Sequence, residues 1–144
     1  MGTLTLSLNE NKTEIAELLL RSFAGILFLF QGYDKIFRIG MKGVTDTFMA
    51  DASRYSIPRG IINLLTWYTS WAELVGGLML IAGLFTLPAL CALGLDVLIV
   101  AVAFSFIEPM WDLKFVFPRL LLLVAIMLLY NPAHSWGLDR YINP

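Results

Sequence analysis

The chain has 144 residues, 58% of them hydrophobic, a net charge of −1 and a mean hydropathy of +0.76. Soluble domains carry roughly 45–50% apolar residues, so a soluble protein of this length would lack the polar surface to cover itself; the chain reads as one all-α integral membrane domain, 1–144. The near-neutral charge offers neither a nucleic-acid footprint nor a polybasic anchor, and a lone cysteine (Cys91) and a lone histidine (His134) exclude an internal disulfide, a bis-histidine haem and a His-rich metal site.

The opening stretch, MGTLTLSLNENKTEIAELLL, lacks the basic start and early apolar run of a signal peptide. Leu6 stands where myristoylation favours Ser or Thr. Four apolar segments follow, at about 18–37, 61–85, 87–107 and 114–130. Each is near the roughly 20 residues that cross hydrocarbon as a helix, and none alternates as a barrel strand would. A four-helix membrane bundle is therefore expected. The first and fourth are short of clean apolar length and need snorkelling Lys or Arg at their ends.

The connections agree. The first, 38–60, is polar enough to leave the bilayer, and its VTDTFMADASRY stretch predicts a short interfacial helix with Val44, Phe48 and Tyr55 towards lipid. Thr86-Leu87-Pro88 makes a tight antiparallel joint, with Pro88 in the first turn of the third span. Glu108-Pro109 and Asn131-Pro132 end the third and fourth spans, because the residue before proline avoids the α region. Lys35, Arg38, Lys42, Arg54, Arg59 and Lys114 lie opposite the termini, against Lys12, Arg21 and Arg140 on the terminal side. The positive-inside rule then places both termini on the non-cytoplasmic side of a bacterial-type inner membrane.

Ionisable residues at depth are costly and have a partner or a task. At 1.5 Å per residue from the terminal side, Arg21 lies at roughly 5 Å, Asp96 at roughly 14 Å, Glu73 at roughly 18 Å, Arg119 at roughly 21 Å and Lys35 at roughly 25 Å. These depths predict Glu73 paired with Arg119 or Lys35, and Asp96 paired with Arg21. Arg21, Gly25, Phe28, Gly32 and Lys35 share a face of the first span, and Glu73, Gly76, Leu80 and Gly83 a face of the second. Their glycines admit a close helix neighbour, so both faces should look inward. Whether the charges pin helices or line a site stays open.

Trp67, Tyr68, Trp71, Trp111, Phe115 and Phe117 gather away from the termini. They read as an interfacial aromatic belt or as a stacking pocket for a flat amphipathic ligand such as a quinone. Tyr130 and Trp136 make a thinner belt on the terminal side, His134 reads as exposed or capping, and Cys91 as a small packing residue.

RSFAGILFLFQGYDKIF, WAELVGGLMLIAGLFT and FPRLLLLVAIMLLY resemble the first, second and fourth helices of DoxX-type membrane proteins, and the resemblance covers about 14–130. It implies a four-helix bundle. Some members are linked to thiosulfate:quinone oxidoreductases as a small subunit, and others resemble assembly factors, receptor chaperones or cargo receptors. By position, Arg21, Gln31, Lys35, Glu73 and Arg119 match the family's polar residues. Two functions follow. In the first, the protein is an accessory subunit of a membrane oxidoreductase, with Gln31, Lys35, Trp71, Glu73 and Arg119 around a quinone. In the second, it is a non-enzymatic scaffold or chaperone-like subunit. Neither gives the chain a cofactor of its own, a metal site or a nucleophile, and both imply the lipid bilayer and further membrane subunits as partners, with no nucleic acid.

Overall fold

The computed structural model describes residues 11–52, 55–107 and 113–142. Helix α1 (Lys12–Tyr33) runs on into a π-helical turn, Asp34–Ile39. Helix α2 (Met41–Asp51) follows, then α3 (Arg59–Ala82), α4 (Thr86–Ile107), α5 (Leu113–Leu129) and a single closing turn, α6 (Asp139–Ile142). Three of these, Lys12–Ile39, Arg59–Ala82 and Thr86–Ala103, are long and apolar enough to cross a membrane, and Val116–Leu129 is a shorter apolar helix. The expected all-α membrane architecture is thus present, with three helices of spanning length and a shorter fourth among the described residues. The first begins six residues earlier than expected, which brings Thr13, Glu14 and Glu17 onto the helix.

The four long helices form a ring in which α1 packs on α3, α3 on α4, α4 on α5 and α5 back on α1. Their polarity is inverted relative to a soluble bundle. On α1 the outward stripe is Leu19, Phe23, Ile26 and Phe30, at steps of four, three and four that keep one face towards lipid. The inward stripe is Glu17, Arg21, Ala24, Gly25, Phe28 and Gly32. On α3 the exposed residues are Leu64, Trp67, Trp71, Val75 and Leu78, while Thr66, Ser70, Glu73, Gly77 and Leu80 are buried. Hydrocarbon solvates apolar side chains as well as a protein core does, so close backbone approach and polar contacts hold such helices together.

That approach is made by glycine. A Cβ on Gly25 would come within 2.7 Å of Ile81 Cγ1 and 2.9 Å of the Gly77 carbonyl oxygen, and one on Gly32 would run into the Leu74 backbone. Gly77 abuts the Leu29 backbone in the same seam, whereas Gly76 faces Leu93 of α4. Gly25, Gly32, Glu73, Gly76 and Leu80 are buried, as the predicted inward faces require. The α3 glycine that meets α1 is Gly77, which lay outside the predicted face.

Two expectations about surfaces are overturned. Val44 of α2 is buried and Phe48 lines a crevice with Tyr55, Ile62, Thr66, Ile99 and Val100. Val44 and Phe48 of α2 are therefore turned onto the bundle rather than into lipid, because an amphipathic helix this close to the bundle finds apolar surface there first, while Tyr55, beyond the end of α2, keeps 40% of its surface exposed. Cys91 is exposed rather than packed. Trp111, Arg54 and the side chains of Lys114 and Phe115 lie outside the described residues.

Candidate functional site: a buried polar cluster and a terminal-side lock

Polar groups collect in two places along the bundle. The first is at the terminal end. Arg21 is 1% exposed, and its Nε donates to Glu17 Oε1 at 2.7 Å, one helical turn back. Its Nη1 donates to the Leu80 carbonyl at 2.6 Å and its Nη2 to the Trp136 carbonyl at 3.2 Å. The last carbonyls of a helix have no partner within it, so Arg21 satisfies the end of α3 and favours its negative pole. Gly83 closes that end in the left-handed conformation (φ 61°, ψ 42°), with Leu84 N–H returning to the Met79 carbonyl at 3.0 Å. This is the glycine-terminated helix end that six-to-one hydrogen bonding defines.

Asp139 does the converse for the next helix. Its carboxylate accepts from the Phe85 and Thr86 N–H groups at 2.6 and 2.8 Å, and from the Tyr130 hydroxyl at 2.8 Å. A carboxylate at a helix start satisfies orphan N–H groups and the positive pole together. Arg21 and Asp139 thereby tie α1, the α3–α4 joint and the chain's last turn into one lock. The expected Arg21–Asp96 pair does not form. Arg21 has a nearer acid on its own helix, Glu17, which the expected span left outside the membrane.

Burial alone would raise the Asp139 carboxyl, but hydrogen bonds from Thr86, Tyr130 and Phe85 outweigh it and hold the group below the ordinary carboxylate range. The same burial, with the bond to Asp139, pushes Tyr130 up to about 12. A folded carboxyl held low stabilises above its unfolded value, about 3.9, and loses that contribution as pH falls through the folded value. A folded phenol held high stabilises below its unfolded value, about 10, and loses it as pH rises through about 12. Asp139→Asn should therefore lower stability by about 1.5–3 kcal/mol at neutral pH, the range for hydrogen bonds to a charged group. In detergent melts the gap to wild type should close below about pH 4. A gap independent of pH would refute this account of the cap.

The second collection lies in the half of the bundle away from the termini. Lys35 Nζ lies 2.7 Å from Glu73 Oε2, with the lysine side chain 18% and the glutamate side chain 2% exposed. Arg119 of α5 reaches the same region, where the Gln31 amide oxygen, oriented to accept, takes hydrogen bonds from Nη2 at 2.7 Å and Nη1 at 3.2 Å. Asp96 of α4 is 1% exposed and lies within electrostatic range of Glu73, Lys35 and Arg119. Its Oδ1 has no hydrogen-bond partner among the described residues. All four long helices of the ring contribute, so Gln31, Lys35, Glu73, Asp96 and Arg119 form one cluster, with two cations facing two acids. The π-helical turn that carries Lys35 widens the end of α1, as such turns do where a side chain must be re-aimed.

Of the residues expected at this site, Gln31, Lys35, Glu73 and Arg119 come together, and Lys35 is the partner of Glu73. Trp71 does not join them. It is 39% exposed, two residues from Glu73 and so on the opposite side of α3, with its ring 6.2 Å from that of Trp67. Asp96 belongs to this cluster rather than to Arg21. Sequence reasoning missed Glu17 and Asp139 altogether.

The DoxX family model matches residues 16–108. No curated protein and no solved structure matches the chain.

Proposed function

The chain belongs to the DoxX family of membrane proteins, and from that premise we propose that it serves as an accessory subunit of a membrane oxidoreductase, its mid-bundle cluster receiving the head group of a quinone. The observation that carries the proposal is Asp96. A single Lys35–Glu73 pair is enough to pin two helices, yet a second buried carboxylate stands beside it, its Oδ1 without a hydrogen-bond partner among the described residues. Buried polar groups left without partners are costly, and membrane-embedded acids mark ligand or proton sites.

The residues suit that ligand. A bound quinone supplies the two-electron, two-proton chemistry that this chain lacks. Its carbonyl oxygens accept hydrogen bonds, and Lys35 and Arg119 present N–H donors. Glu73 and Asp96 can hold or release a proton beside them. Lys35, the most exposed of the ion-paired members, lies on the way in. Electrons come from a partner subunit's cofactor. The same reading places the chain in a bacterial-type inner membrane with its termini on the non-cytoplasmic side.

The test is a detergent melt of the purified protein with and without a short-chain quinone. Wild type should be stabilised in proportion to occupancy, and Asp96→Asn should lose most of the shift. A wild-type melting temperature indifferent to quinone, with no quinone extracted from the purified protein, would overturn the proposal. A second reading, an assembly factor or chaperone-like scaffold, draws support from the closure of the Lys35–Glu73 pair on itself. It would have to dock partners elsewhere than the glycine faces, since Gly25, Gly32, Gly76 and Gly77 are all occupied within the chain.

A further inference from the structure

A small pocket opens at the terminal end of the bundle, between the first turns of α1 and the segment that follows α5. It is lined by Thr13, Glu14, Glu17, Asn131, His134 and Ser135, with Leu129 at its side, and encloses about 90 Å³. Three of its polar atoms are buried without a hydrogen-bond partner among the described residues: Glu14 Oε2, Glu17 Oε2 and Ser135 Oγ. Glu17 and Ser135 are 1% and 3% exposed, so they cannot turn out to bulk water. The lock described above uses Glu17 Oε1 and leaves Oε2 to the pocket.

Buried polar atoms left without partners are costly, and here two carboxylate oxygens and a hydroxyl, which can also accept, line one pocket. Arg21 offsets the charge of Glu17. No ion pair offsets Glu14 among the described residues, so the described lining carries one negative charge in excess. A bare metal ion is a poor answer, because among the described residues no three His, Cys, Asp or Glu side chains are grouped to hold one. A primary ammonium has one positive charge and three N–H donors, which matches both the excess charge and the acceptor count. A quaternary ammonium has the charge and no donor.

We propose that this pocket is a binding site for a primary ammonium group, held by Glu14, Glu17 and Ser135, with Asn131 and His134 at its rim. The pocket lies at the terminal end of the bundle, where α1 begins and α5 has just ended, so an ethanolamine phospholipid can deliver the group, as can a soluble amine. It is separate from the mid-bundle cluster, and its occupancy does not depend on the quinone proposal.

The test compares melting temperatures in nanodiscs of phosphatidylethanolamine/phosphatidylglycerol and of phosphatidylcholine/phosphatidylglycerol at equal anionic fraction. Wild type should melt higher in the ethanolamine lipid, because a ligand that binds only the folded state raises its stability. Glu14→Gln should melt with wild type in the choline lipid and lose the ethanolamine advantage, and Ser135→Ala should lose part of it. Ethanolamine added in solution to the choline nanodiscs, with choline as control, assigns the source. A rise with ethanolamine alone points to a soluble amine, and no rise points to the lipid. Equal melting of wild type in the two lipids, with no response to free ethanolamine, would overturn the site. So would an ethanolamine advantage that survives undiminished in Glu14→Gln.

Discussion

Arg21→Met is expected to destabilise the bundle by about 3–5 kcal/mol, the range for removing one partner of a buried ion pair. Methionine keeps much of the arginine's volume, so the loss is not chiefly a cavity. It leaves Glu17 as a buried charge without its cation, and it strips donors from the Leu80 and Trp136 carbonyls. Arg21→Lys keeps the charge but cannot reach three elements at once, since an ammonium lacks the planar spread of a guanidinium; it should fall between the two. The double variant Arg21→Met/Glu17→Leu should recover a large part of the loss, because replacing a whole buried pair with apolar groups is often near neutral. Unfolding in mixed micelles, followed by tryptophan fluorescence, measures all three. If Arg21→Met costs less than about 1 kcal/mol, the cost typical of a single neutral hydrogen bond, the lock is not what joins α1 to the chain's last turn.

The difference between what the residues reveal and what the fold does with them has a simple geometry. Depth along a helix is one coordinate, and counting residues supplies it. That is why Glu73 can be assigned to Arg119 or Lys35, though depth alone does not choose between them, and the ion pair falls to Lys35. Azimuth is a second coordinate, and it is coarser. Gly76 and Gly77 are one residue apart, roughly 100° on the helix, and the pattern of neighbours does not say which of them meets α1. Trp71 fails for the same reason, since belonging to an aromatic-rich stretch does not place it on the Glu73 side. Arg21 fails through a boundary. Starting the first span at Leu18 leaves Glu17 in the water, whereas the helix in fact begins at Lys12 and brings that acid to within one turn of Arg21. Asp139 was beyond reach in principle. It caps a helix that starts more than fifty residues earlier in the chain, and no local signal announces a cap delivered from a distance.

Lys35→Met should cost about 3 kcal/mol, the lower end of the range for breaking a buried pair, because the lysine side chain keeps partial contact with its surroundings outside the protein. The variant leaves Glu73 and Asp96 facing Arg119 alone, two acids against one cation. Glu73→Gln should cost less than Lys35→Met, since it removes a like-charged neighbour from Asp96 while it loses the lysine. The double variant Lys35→Met/Glu73→Gln restores the balance of one acid and one cation, and should melt closer to wild type than Lys35→Met does. The departure from additivity in this cycle measures the pair itself, and 0.5–3 kcal/mol is the range for groups in contact. The same three variants divide the two functional readings. A pin is finished once the helices are held, so a double variant that melts like wild type and still responds to quinone would make the pair structural and move the ligand elsewhere. A site needs the charges themselves. A double variant that folds like wild type and no longer responds would put Lys35 and Glu73 in the binding of the quinone, with the stability of the bundle carried by the glycine seam and the Arg21 lock.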